Sequence, residues 1–366
     1  MRPADSLSEW TALRRGLFYP KSDIPLDDDL IREMRAVSRD GLHLPPASLR
    51  ETTATALGLE PAAIEPLPHQ GTFHRLYIVR FDHAEPLILK VSVLSKQFRD
   101  YSFHVDAWVA DESRDGKLRA NPLVKIDTTR QLCSFDFAFA AQAPGTPLSA
   151  LDDDEAATNA ALRDLGSSLH ELHARSLDGF GLLDVAPIVR GEGPPRGLWT
   201  SWSEYILCHL DRHVAHCLEI GAISGAEATR IEERFERSMP QLDMATGALL
   251  HGDLGSHNIF RDTSSDIMWL VDWEDALVGD PLYEIAFWLT FHPARRWPAA
   301  LDGYGLAWPL PESEAELFWL YFLRVALMKT VLRHRLGYDD PPDRPPASRR
   351  IQLALSAIES PTGLPA

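Results

Sequence analysis

Two short runs hold most of the residues able to do chemistry. In LLHGDLGSHNIF, residues 249–260, an apolar pair leads into His251-Gly252-Asp253, and Asn258 follows Asp253 by five positions. In MWLVDWEDALVGDPLYEIA, residues 268–286, an apolar stretch ends at Asp272, with Glu274, Asp275 and Asp280 close behind. Carboxylates and an amide oxygen suit magnesium, which takes oxygen ligands and keeps some of its waters. A separate carboxylate can orient an attacking hydroxyl and accept its proton. Phosphoryl transfer needs both, because positioning and neutralisation of dense negative charge do most of the work. A loop Asp, an Asn five residues on and a later strand-end Asp form the pattern of such a site. Asp253 is then the expected base, and Asn258 and Asp272 are the expected metal ligands. Singly, each has a blander reading as a turn or cap residue; their joint order is what points to metal and phosphate.

These residues need elements to hold them. Upstream, HRLYIVRF and LILKVSVL read as two strands of a hairpin separated by a turn at 83–86, with Gly71 just before the first. Residues 98–112 resume helical periodicity, and NPLVKIDTT and LCSFDFAFAA read as further strands before the Pro144-Gly145 turn. Beyond it the chain is mostly helical, with Leu162, Leu165, Leu169 and Leu172 at helical spacing. Asp27-Asp28-Asp29 and Asp152-Asp153-Asp154 read as helix N-termini, the first helix ending near Gly41. Two helices are expected over 199–240, split near 221–225, and two more near 312–335 and 346–359.

The sequence resembles the aminoglycoside phosphotransferase and choline kinase superfamily, which has a protein-kinase-like fold. HGDLGSHN matches that family's catalytic loop, and VDWEDALVGDP its metal-binding segment. The resemblance covers roughly residues 46–335 and implies an α+β, bilobal protein-kinase-like fold with a small β-rich N-lobe and a larger, mainly helical C-lobe. It divides the chain into an N-terminal helical extension at 1–45, a nucleotide-binding N-lobe at 46–142, and a catalytic and substrate-binding C-lobe at 143–366. It implies that Lys90 reaches the nucleotide phosphates and that the loop around Gly71 covers them, although only this one glycine remains there. Asp106 falls where the family usually has Glu to pair with the lysine; Glu112, six residues on, points elsewhere on the helix. His251 and Asp280 are implied to hold the catalytic loop, Asp280 from below. FAAQAPGTPL resembles the hinge that receives adenine.

The implied enzyme is an ATP-dependent phosphotransferase using Mg2+, with GTP as the alternative donor. Its partner is a small-molecule hydroxyl acceptor, an aminoglycoside, aminocyclitol or sugar-like compound. A choline-type or other metabolite kinase and a non-catalytic nucleotide-binding module are the rivals. Nine residues from Asp272 to Asp280 are too few for the activation segment of a protein kinase. Acidic residues near the site favour a polyol or amine-bearing acceptor, and Glu274 and Asp275 either face that substrate or are only solvated.

Composition agrees with such a function. The chain has 366 residues, 45% hydrophobic and 24% charged, and a net charge of −17, which repels nucleic acid and anionic membrane at long range. Cys133, Cys208 and Cys217 are an odd, widely spaced set without a disulfide framework. No apolar leader or 18-residue apolar run is present, so the expected location is the cytoplasm. His209, His213 and His216 share helical spacing beside Cys208, Asp211 and Cys217, which could suit a transition metal; a polar helix face is the favoured reading. His170 and His173 read as helix-end residues, and Trp273, Trp288 and Trp297 as core.

Overall fold

The computed structural model describes residues 3–40, 44–68, 70–151, 154–265, 267–339 and 345–359. The small lobe is a five-stranded antiparallel sheet in the spatial order Ala63–Pro66, His74–Arg80, Leu87–Ser92, Phe137–Ala141, Leu123–Asp127. Successive strand side chains face opposite sides. Tyr77, Val79, Leu89, Val91, Phe137 and Phe139 therefore share one buried layer, which the helix Pro46–Leu57 enters through Leu49. Lys90, between Leu89 and Val91, is left on the opposite face, level with Leu76 and Ala138. The helix Phe103–Glu112 lies on that side. It starts five residues later than the periodicity suggests, because residues 93–96 form a 3-10 turn and the Asp100 carboxylate accepts from Ser102 N at 3.0 Å.

The chain leaves the small lobe through residues 141–147. Gly145 has φ +91, and a Cβ there would come within 2.2 Å of Arg261 O, so only glycine lets the two strands of chain pass this closely. Thr146–Pro147 then joins a four-stranded sheet with Ile259–Asp262, Ile267–Leu270 and Leu118–Ala120. A second sheet, running Arg196–Trp199, Phe180–Asp184, Leu277–Gly279, Gly247–Leu250, Ser176–Leu177, supports the loop that begins at residue 251.

Around these sheets stand the helices of the large lobe. Glu155–His173 starts at Asp154, whose side chain accepts from Ala157 N; Asp152 and Asp153 lie outside the described residues, as does the expected helix end at Gly41. Residues 199–240 hold three helices, not two: Trp202–Leu207, Leu210–Glu219 and Gly225–Leu242. His209 interrupts the first pair with φ 58, a left-handed conformation that no helix interior tolerates. Glu312–Leu336 is buried on nearly every side and crosses the lobe as its central rod.

The N-terminal extension is not an appendage. Pro3–Arg15, Pro20–Asp23 and Asp28–Asp40 pack on the large lobe, and Leu7, Trp10, Leu17, Phe18, Tyr19, Ile24, Leu30 and Met34 belong to its main core. Among the described residues, no helix is long and apolar enough to cross a membrane.

Candidate active site

The strand Gly247–Leu250 delivers the chain to His251, which is fully buried. Its Nε2 bonds Val271 O at 3.0 Å while Nδ1 accepts from Asp253 N at 3.2 Å, so one ring fixes both ends of the turn. Gly252 has φ +82, and a Cβ there would lie 2.3 Å from Asp275 O. Asn258 donates its Nδ2 to Asp253 O at 3.0 Å, which leaves its amide oxygen for another partner.

The support beneath this loop differs from the expectation. Asp280 caps the helix Pro281–Leu289 by accepting from Leu282 N at 2.9 Å and also accepts from Tyr321 Oη at 2.8 Å. Neither contact touches the catalytic loop. Glu284, one turn further along, does: it accepts from His251 N at 2.9 Å, Gly252 N at 2.7 Å and His173 Nε2 at 3.0 Å. His173, expected as a helix-end residue, is thus a partner of that buttress.

Lys90 bridges two carboxylates, Asp106 Oδ2 at 2.7 Å and Asp272 Oδ1 at 3.0 Å. The shorter Asp106 reaches because its helix sits close enough for its other oxygen to accept from Trp273 N at 2.8 Å. Glu112 is exposed at the far end of the helix. Asp272 adopts φ 69, unusual for a non-glycine residue, at the point where the chain turns into the buried Trp273. Burial opposes its charge, but Lys90 and Lys21 outweigh that and hold its carboxyl well below the usual range. Gly71 lies in the loop above, where a Cβ would sit only 3.2 Å from His74 O.

Glu274 and Asp275 neither face open space nor are solvated; they are 4% and 1% exposed. Lys21, from the N-terminal segment, lies 2.8 Å from Asp253 Oδ2, 3.1 Å from Glu274 Oε1 and 2.8 Å from Asp275 Oδ2. Glu274 also meets His74 Nδ1 at 3.1 Å, and His74 Nε2 meets Asp100 at 3.0 Å. Burial opposes a charge on His74, yet Glu274 and Asp100 raise its pKa. Burial and the neighbouring Asp272 push Glu274 up to about 7, against the pull of Lys21 and His74. Asp253 Oδ1 faces Lys329 at 3.5 Å. Burial works against ionised Asp253, but Lys21 and Lys329 dominate and hold it well below the carboxylate range.

A cleft of about 440 Å3 between the lobes is lined by Gly71, Lys90, Asp253, Asn258 and Asp272, together with Lys21, His74 and Lys329; Glu274 and Asp275 lie behind Lys21 and do not line it. Gln142 and Ala143, at the expected hinge, close its other end. Asp272 and the free amide oxygen of Asn258 are the hard oxygen donors that suit magnesium. Lys21 and His74 were not legible as site residues, since neither sits in a motif. Lys329 had a faint signal: with Arg324 it interrupts the otherwise apolar run from Phe318 to Leu332. On the helix face read as polar, His213 is buried, 2.6 Å from Asp23 and 2.9 Å from Arg324. Trp273, Trp288 and Trp297 are core, as expected.

Two lobes, a strand lysine paired with a helix acid, and a loop Asp and a strand-end Asp lining the same cleft define a protein-kinase-like fold. The chain belongs to the phosphotransferase enzyme family, whose model matches residues 64–317. Over 140 residues it is 29% identical to hygromycin-B 4-O-kinase of Escherichia coli, a match spanning 35% of this chain and 38% of that protein's length. A thermostable mutant of aminoglycoside phosphotransferase APH(4)-Ia superposes with a TM-score of 0.62 at 19% identity, over 84% of this chain and 98% of that one. The GDP and kanamycin complex of APH(2")-IIia does so with a TM-score of 0.56 at 15% identity, over 85% and 96%. At these identities the likeness is one of fold.

Proposed function

We propose that the protein transfers the γ-phosphoryl group of ATP to a hydroxyl of a sugar-like or cyclitol acceptor, the chemical class that includes aminoglycosides and aminocyclitols. The observation that carries this reading is the convergence of Lys90, Asp272, Asn258 and Asp253 on one cleft. Lys90 reaches the nucleotide phosphates from the sheet, held by Asp106. Asp272 and the amide oxygen of Asn258 would hold Mg2+, which would neutralise charge on the phosphates. Asp253 orients the acceptor hydroxyl. Held at low pKa by two lysines, it takes the proton only once the bond to phosphorus has largely formed, as a loose transition state allows. The hygromycin kinase similarity supports the acceptor class, and the nucleotide in a structural relative supports a nucleotide donor.

An ATP-consumption assay with Mg2+ against sugars, cyclitols and aminoglycosides tests this, with GTP as competing donor. Asp253→Ala should lower acceptor-dependent turnover by about two to four orders of magnitude. Asp272→Ala should abolish the magnesium dependence of nucleotide binding. Full turnover in the first variant, or unchanged nucleotide affinity in the second, would remove the assigned roles.

A further inference from the structure

The acceptor side of the cleft already holds a cation. Three carboxylates, on Asp253, Glu274 and Asp275, surround one ammonium group, and that group is Lys21 of the chain itself. An amine-bearing substrate would seek such a cluster, because an ammonium is stable away from water only when paired with carboxylates. Lys21 already occupies the point where the three carboxylates meet. Glu274 is shared with His74, and Arg14 donates to Glu274 O at 3.0 Å. Lys329 adds a second ammonium beside Asp253, backed by the rings of Phe287 and Phe291 at 4.5 Å.

Nor can Lys21 swing aside easily. Asp23 accepts from Phe18 N at 2.9 Å and Tyr19 N at 2.8 Å, and its other oxygen meets His213. Tyr205 donates to Phe18 O at 2.6 Å, Arg335 donates to Ser22 O at 2.7 Å, and the Arg324 guanidinium lies 3.5 Å from the centre of the Phe18 ring. Every one of these contacts is on the turn that carries Lys21, and the Tyr205–Phe18 bond is fully buried. The segment is a fixed wall of the site.

We propose that Lys21 determines acceptor specificity: its ammonium fills the subsite where an amino group beside the reacting hydroxyl would bind, so the enzyme selects sugar or cyclitol acceptors without an ammonium there. This rests on the phosphotransferase reading and narrows it. The restriction is a repulsive device, in which a built-in like charge rejects the wrong ligand while a neutral polyol can still reach Asp253. Each Asp253 oxygen has more than one lone pair, so pairing with Lys21 leaves room for a hydroxyl donor.

The test uses the full chain and two probes of similar shape: myo-inositol, a neutral polyol, and 2-deoxystreptamine, a diamino cyclitol. Calorimetric titration in the presence of Mg2+ and ADP gives the affinity ratio. The wild type should bind the diamine no better than the polyol. Lys21→Ala should improve diamine binding at least tenfold and change polyol binding less than threefold; Lys21→Met, which keeps the bulk without the charge, should shift the ratio in the same direction and guards against a folding defect in the alanine variant. A wild type that prefers the diamine tenfold, an unchanged ratio in both variants, or no measurable diamine binding to either variant overturns the proposal. Equal gains for both probes would make Lys21 a general plug instead. ATP turnover insensitive to Asp253→Ala would sink the phosphotransferase reading while leaving the affinity ratio to stand or fall separately.

Discussion

At the scale of single residues, the site is organised by where its charges are placed and how they are paired. Lys329 shows this best. Burial lowers its pKa to about 8, with Asp253 pulling the other way. Its ordinary value is near 10.5. Between those values the folded chain binds fewer protons at this site than the unfolded chain. Stability therefore rises with pH through that window as far as this group is concerned. Thermal melts from pH 8 to 9.5 should show the wild type gaining stability relative to Lys329→Met; parallel curves would mean that the lysine keeps its charge. The span stops short of pH 10, where buried tyrosines such as Tyr205 and Tyr283, with raised pKa values, begin to act in the opposite direction.

At the scale of elements, the catalytic loop depends on a helix that never enters the cleft. Glu284 accepts from two loop N–H groups and from His173, all buried. Glu284→Ala would leave these donors unsatisfied and should cost roughly 2–5 kcal/mol, at about 1–3 kcal/mol for each orphaned group with partial relief from water. Glu284→Gln, which keeps one acceptor oxygen, should lose less. Urea denaturation checks both, and a loss below about 0.5 kcal/mol for the alanine variant would show that the loop is held by its other contacts. The sequence made the loop itself legible, because Asp253, Asn258 and Asp272 come at fixed spacings around apolar strands. The Lys90–Asp106 pair was legible only through the family resemblance, which has an acid on the following helix to meet the strand lysine. Glu284 was not, since a carboxylate in a helix pattern has no mark separating a buried buttress from a surface residue. Asp280 lies within the VDWEDALVGDP run from which the resemblance implied its bracing role, yet its side chain turns to its own helix and to Tyr321.

For the whole molecule, the two-lobed plan followed from the family resemblance and most elements from periodicity and turn residues, whereas the path of the N-terminal segment followed from neither. Nothing local in FYPKSD tells that Phe18 will be fully buried or that Lys21 will face Asp253, because these contacts join residues more than 180 positions apart. Phe18→Ala should cost about 3–5 kcal/mol, the usual loss for a fully buried aromatic ring. It should also weaken the hold on Lys21, so the affinity for amino cyclitols should rise in parallel with the fall in denaturation midpoint. A loss under about 1 kcal/mol would mean the segment is only draped on the lobe.

The contacts of that segment with the long helix Glu312–Leu336 have a consequence for the making of the protein. Ser22 and Ile24 meet Arg335 across sequence separations of 313 and 311. On a ribosome adding about 5–20 residues per second, the first strap of chain must wait on the order of 15–60 seconds for its partner to emerge. During that interval Phe18, Tyr19 and Ile24 lack their final cover, and Asp253, once made, still lacks Lys329. The active centre is therefore among the last parts of the nascent chain to be completed, and a product released early would carry the catalytic motif without the charge balance that governs it.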